Sequence, residues 1–217
     1  MAKTKLYLLI IFFLFISSVD IVLAYSKFPL INKLIYIDVG HGGIDPGAIY
    51  KDLRESDINL IFSKKVGKLL ENKGATVYYI RDGDYDLSST KIQRKRSDLS
   101  NRVSIINESN ASLYLSFHVN SEQSSTWYGT QIFYSNILKQ NKKIASIIRD
   151  KLYDKGIIKR QISLINNTYM YDRIKVPGVL IEVGFISNYV DRNKMQSSEY
   201  IEKFSRILVS SIETVLK

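Results

Sequence analysis

The chain contains only two histidines, His41 and His118, and each closes an apolar run. His41 sits in Gly-His-Gly-Gly-Ile-Asp-Pro (40–46), and His118 follows Ser-Leu-Tyr-Leu-Ser-Phe (112–117). Two acids have comparable settings. Glu55 stands just before a helical pattern, and Glu182 lies inside Val-Leu-Ile-Glu-Val (179–183). A catalytic zinc takes three protein ligands and keeps a fourth position for water, whose pKa falls from 15.7 to about 7. His41, Glu55 and His118 supply such a set. A further carboxylate then moves the proton, a role worth roughly 100- to 10,000-fold, and Glu182 is the candidate. An acid in so apolar a run is otherwise a costly buried charge. The plainer readings are two loop histidines and an acid favouring a helix N-terminus. The glycines could also cradle a phosphate, but neither GxxxxGK[ST] nor GxGxxG after a strand is present.

These groups need elements to position them. Residues 34–39 read as a buried strand, and 40–46 as a loop because glycines and proline hold no regular element there. Apolar positions Ile58, Ile61, Phe62, Val66, Leu69 and Leu70 have helical spacing, and Gly74 stands where a stop belongs. Further strands are expected at 76–80, 112–117, 130–134 and 179–183, and further helices at 90–107, 139–155 and 200–216. This alternation predicts a single α/β domain: a central, mostly parallel sheet of about six strands flanked by helices on both faces. Ligands bind such sheets beyond the carboxyl ends of the strands, where both histidines fall.

Of the 217 residues, 45% are hydrophobic and 24% charged, an ordinary globular composition. With no cysteine, the chain has no disulfide, thiol nucleophile or iron–sulfur site. The net charge of +10 suits a polyanion, either nucleic acid or an acidic envelope. The N-terminus chooses between them. Lys3 and Lys5 precede an apolar run over 6–16, and Val22-Leu23-Ala24 offers a cleavage site. Residues 1–24 are therefore expected to be a signal peptide, with an uncleaved anchor as the alternative. Either way the chain is exported, an envelope partner replaces nucleic acid, and membrane contact is confined to this segment.

Four stretches together resemble the zinc-dependent type 3 N-acetylmuramoyl-L-alanine amidases: Asp-Val-Gly-His-Gly-Gly-Ile-Asp-Pro-Gly-Ala (38–48), Arg-Glu-Ser-Asp-Ile-Asn-Leu (54–60), Ser-Phe-His-Val-Asn (116–120) and Ile-Glu-Val-Gly-Phe-Ile-Ser-Asn (181–188). They occur in family order within a catalytic domain expected over 34–217. Residues 94–107, 127–131 and 166–169 look most like the germination-specific branch of spore formers, the CwlD type. The resemblance implies that His41, Glu55 and His118 hold zinc and that Glu182 is catalytic. It implies cleavage between the lactyl group of N-acetylmuramic acid and L-alanine of the stem peptide. In the closer branch the substrate is spore cortex in the space between the forespore membranes, the product prepares muramic δ-lactam for germination, and a lipoprotein can assist. Another exported zinc hydrolase (a carboxypeptidase or deacetylase) and an inactive wall-binding module are the rival functions.

Secondary candidates follow. Asp38 is expected to orient His41, since a metal-bound histidine donates its other N–H. Asn120, Arg160 and Asn188 are candidate substrate contacts, and Trp127 is a candidate sugar platform. The interval between His118 and residue 130 is too short for an inhibitory helix, so no built-in plug is expected. A partner that orders a loop around Glu55 would raise metal affinity by removing an ordering cost.

Overall fold

The structure, a computed structural model, describes Tyr7 and residues 27–217; the expected leader at 1–24 otherwise lies outside the described residues. Strand β1 (Leu34–Val39) is followed by the short pair β2 (Ile49–Tyr50) and β3 (Leu53–Arg54), then helix α1 (Glu55–Glu71) and strand β4 (Thr76–Tyr79). Next come α2 (Arg94–Glu108), β5 (Leu113–Asn120), β6 (Gln131–Tyr134), α3 (Lys139–Asp154) and β7 (Ser163–Leu164). The chain closes with β8 (Gly178–Phe185), α4 (Tyr189–Gln196) and α5 (Ser198–Val215). Six strands form one sheet in the order β4-β1-β5-β8-β6-β7; β2 and β3 pair separately. The β4, β1, β5 and β8 pairings are parallel, and β6 runs antiparallel to β8. The expected fold class is therefore the observed one.

Side chains alternate across each strand, so β1 serves two cores. Ile35, Ile37 and Val39 join Phe62 and Val66 of α1, Ile148 of α3 and Phe204 and Leu208 of α5. Leu34 and Tyr36 face the other way, towards Val103 and Ile106 of α2 with Tyr171 and Ile174. Because both faces are covered, the strands read as continuous apolar runs. Among the described residues, no helix is long and apolar enough to cross a membrane.

The chain crosses from β1 to β4 on one side and returns past β1 to β5 on the other. Loops leaving β1 and β5 thus diverge at a topological switch point, where such sheets open a crevice. His41 lies just beyond β1, and His118 lies within β5.

Three element boundaries and one additional helix differ from expectation for physical reasons. Strand β5 runs on through His118 to Asn120 because β8 pairs with it to that point, through a bulge. Helix α1 begins at Glu55, three residues before its first apolar position, since its first turn is carried by acids. Helix α2 starts only at Arg94, after Gln93 in the left-handed region at φ 52°. Helix α4 is a short polar helix capped by Asn188 and lacks the apolar period that would have announced it.

Candidate metal centre

Each of the three donors is held by a different device. His118 is fixed by the β5 ladder, beside its register partner Glu182 in β8. Glu55 is the first residue of α1, is 5% exposed, and has its charge at the helix's positive end. Its Oε2 accepts from Ala48 N (2.9 Å), and its Oε1 accepts from Val119 N (3.0 Å). Glu55 is therefore not a loop residue waiting to be ordered. His41 has φ 62°, a strained setting for a non-glycine residue and a common feature of functional sites.

Two buried arginines stitch the His41 loop to the body. Arg81 donates to the carbonyls of Val39 (3.0 Å), Gly40 (2.9 Å) and Ser56 (2.8 Å). Arg102, 2% exposed, donates to Val39 O (2.7 Å) and His41 O (2.8 Å). Two glycines leave room for the donors. A Cβ at Gly40 would stand 2.5 Å from His118 Nε2, and one at Gly47 would stand 2.8 Å from His41 Cδ2. Gly47 also has φ 66°, which an L side chain resists.

The three donors converge. One ligand atom from each of His41, Glu55 and His118 lies within 4.8 Å of the others. Glu55 Oε1 is 2.9 Å from His118 Nδ1 and 3.2 Å from His41 Nε2. His41 Nδ1 is 3.0 Å from Asp45 Oδ2. Burial disfavours the charged His41 ring, but Glu55 and Asp45 outweigh it and raise the pKa. Burial likewise opposes ionisation of Glu55, and the two imidazoles override it, lowering its pKa. Glu182 is half-buried, with Oε2 sealed and without a partner. Burial, then the charge of Glu55, pushes its carboxyl well above the usual range. Three donor atoms so close together suit a divalent cation, and Glu182, with one oxygen orphaned, stands beside them in register with His118. Two ring nitrogens and one carboxylate oxygen are a catalytic zinc donor set.

The secondary candidates fare differently. Asp38 does not orient His41; the carboxylate at His41 Nδ1 is Asp45. Strand alternation turns Asp38 under α2, where its oxygens accept from Arg102 Nη1 (2.7 Å) and Ser116 Oγ (2.6 Å). The turn at His41 brings its ring back to Asp45 in the same loop. Asn188 is a helix cap rather than an open side chain. Its Oδ1 accepts from Asp191 N (3.1 Å), and its Nδ2 donates to Ser125 O (2.7 Å). Asn120 Oδ1 accepts from Ser121 N (2.8 Å). Arg160 donates to Tyr128 O (3.2 Å) and lies 4.7 Å above the ring of Trp127, so that indole carries a guanidinium. Residues 121–130 contain no helix.

Sequence reasoning missed Asp45, Arg81 and Gln131. Gln131 faces Glu182 across the β6–β8 ladder, extending the row from His118. Asp45 had a signal, four residues after His41 in a glycine-rich turn. Arg81 had none, since its partners are backbone carbonyls distant in sequence.

A family model described as N-acetylmuramoyl-L-alanine amidase matches residues 35–214. The chain belongs to that family. Membership carries the family's activity, amide hydrolysis in peptidoglycan. Among curated amidases, the germination-specific N-acetylmuramoyl-L-alanine amidase of Bacillus subtilis is 38% identical over 189 residues, 85% of this chain and 80% of that protein. Among solved amidases, CwlD from Clostridioides difficile, in complex with the GerS lipoprotein, superposes with TM-score 0.80 at 34% identity, covering 85% of this chain and 98% of that one. The catalytic domain of CwlV from Bacillus (Paenibacillus) polymyxa superposes with TM-score 0.74 at 26% identity, covering 85% and 98%.

Proposed function

We propose that this chain is an exported, zinc-dependent amidase that removes stem peptides from spore cortex peptidoglycan. It cuts between the lactyl group of N-acetylmuramic acid and L-alanine, preparing muramic δ-lactam for germination. The observation that carries this reading is the convergence of His41, Glu55 and His118 within 4.8 Å, beside Glu182. The germination-specific relative supports the cortex assignment, and the lipoprotein bound to the CwlD amidase supports a lipoprotein partner here. Relatives named as cell wall amidases and the leader-like residues 1–24 support export to the space between the forespore membranes.

His41 Nε2, Glu55 Oε1 and His118 Nδ1 would hold the zinc. When bound, zinc supplies Lewis acidity, polarising a carbonyl and acidifying a water. Asp45 keeps His41 Nδ1 occupied, so Nε2 is the nitrogen turned inward. Ala48 N and Val119 N hold both Glu55 oxygens in place. The Glu182 carboxylate, beside His118 in the β5–β8 ladder, takes the proton from the attacking water and delivers it to the departing alanine nitrogen. Burial, then the charge of Glu55, raises the pKa of that carboxyl and so strengthens its hold on the proton it carries.

The test is product analysis on purified muropeptides. Free peptides beginning at L-alanine are expected. Release of D-alanine or acetate would point to the rival hydrolases. Glu182→Gln should lower kcat by about 100- to 10,000-fold while zinc stays bound, whereas His118→Ala should lose both. In a strain lacking the protein, cortex should lack δ-lactam by mass spectrometry; unchanged cortex overturns the spore assignment.

A further inference from the structure

We propose that Arg96 and Arg173, stacked on Tyr169, form the subsite that receives carboxylates of the stem peptide. The proposal rests on the amidase reading above and adds the side of the site along which the peptide runs.

A cavity of about 260 Å³ opens beside both imidazoles, between α2 and residues 168–171. Leu99 and Met170 give it an apolar wall, and Tyr169 stands in its lining. The guanidinium carbon of Arg96 lies 3.9 Å from the centre of the Tyr169 ring, and that of Arg173 lies 4.2 Å from it. Both guanidiniums are thus held against the same Tyr169 ring. Arg173 also donates to Tyr169 O (2.9 Å).

Neighbouring cations are already neutralised. Arg94 pairs with Asp86 at 2.7 Å, and Arg102 pairs with Asp38 and Asp98. Among the described residues, neither Arg96 nor Arg173 has a carboxylate within 4.0 Å, and both side chains are exposed. Their charge is therefore available to a ligand. The placement of Arg96 also runs against helix preference, because the first turn of α2 holds Arg94, Lys95 and Arg96 and no acid. Departures from local rules of this kind concentrate where a protein binds or reacts.

The ligand chemistry follows. A guanidinium fork meets a carboxylate with two parallel hydrogen bonds. Stacking on an aromatic ring fixes the fork beforehand, so less freedom is lost on binding. The substrate of a peptidoglycan amidase is an acidic peptide joined to a neutral sugar at the scissile amide. The uncompensated pair beside the cavity therefore marks the peptide side.

The test uses the zinc-loaded full chain and two muropeptides, one with free carboxylates and one with those carboxylates amidated. Wild type should show a KM about tenfold lower for the acidic substrate. In the double variant Arg96→Gln, Arg173→Gln, the KM ratio should fall to about one, and the loss should sit in KM rather than kcat. The charge-keeping variant Arg96→Lys, Arg173→Lys should restore part of the ratio, separating charge from folding. A double variant with an unchanged ratio overturns the subsite, as does a wild type with no preference. No peptide release from either substrate would instead overturn the amidase reading itself.

Discussion

Asp45 and Asp38 stand close in sequence and act differently. Asp45 touches the candidate donor His41 directly, and its carboxylate fixes which His41 nitrogen faces Glu55. Asp45→Ala should weaken zinc binding by about 10- to 100-fold, measured by chelator competition; unchanged affinity would remove it from the site. Asp38 acts at one remove, through Arg102, whose other donors hold Val39 O and His41 O. Burial raises the Asp38 pKa, but Arg102, then His118 and Ser116, outweigh it, so the folded value lies below the unfolded one. Stability from Asp38 is therefore fully present above the unfolded value, about 3.9, and is lost as pH falls through the lowered folded value. Asp38→Asn should accordingly cost most at neutral pH, with the gap to wild type narrowing below about pH 3.9. A Tm–pH profile with a constant gap would reject this. Residue types alone brought out His41, Glu55, His118 and Glu182, because histidine is scarce and an acid in an apolar strand is conspicuous. They misassigned the partner of His41, because a strand's alternation and a loop's turn decide direction, and neither is written in the identity of an aspartate.

Regular elements were legible where periodicity was strong. Strand β1 coincides with residues 34–39, and α3 and α5 fall within two residues of expectation. Short pieces were not legible: α4 buries Asp191, Arg192 and Met195 without an apolar period, and β2, β3 and β7 are too brief to show one. The loop between β1 and β2 was read correctly as irregular, yet it is rigidly tethered by arginines from two other segments. Arg102→Ala would leave Asp38 buried without its cation and release two loop carbonyls. The loss should be about 3–5 kcal/mol by urea unfolding. A loss under 1 kcal/mol would mean that the loop carries itself.

At the scale of the molecule, the three donors come from a loop, a helix start and a strand, each fixed by hydrogen bonds or by the β5–β8 ladder. So little ordering remains that the protein, purified without any partner, should hold about one zinc per chain. Zinc found only when a lipoprotein is added would contradict this. A partner would then act on substrate access or placement rather than on donor geometry. The sheet order has a further consequence. Strand β8, with Glu182, is the last to be made, yet it is not an edge strand; it lies between β5 and β6. The two halves of the sheet, β4-β1-β5 and β6-β7, are therefore joined only through β8, so the strand that carries Glu182 is also the seam of the whole sheet, and a change that loosens it should loosen site and fold together.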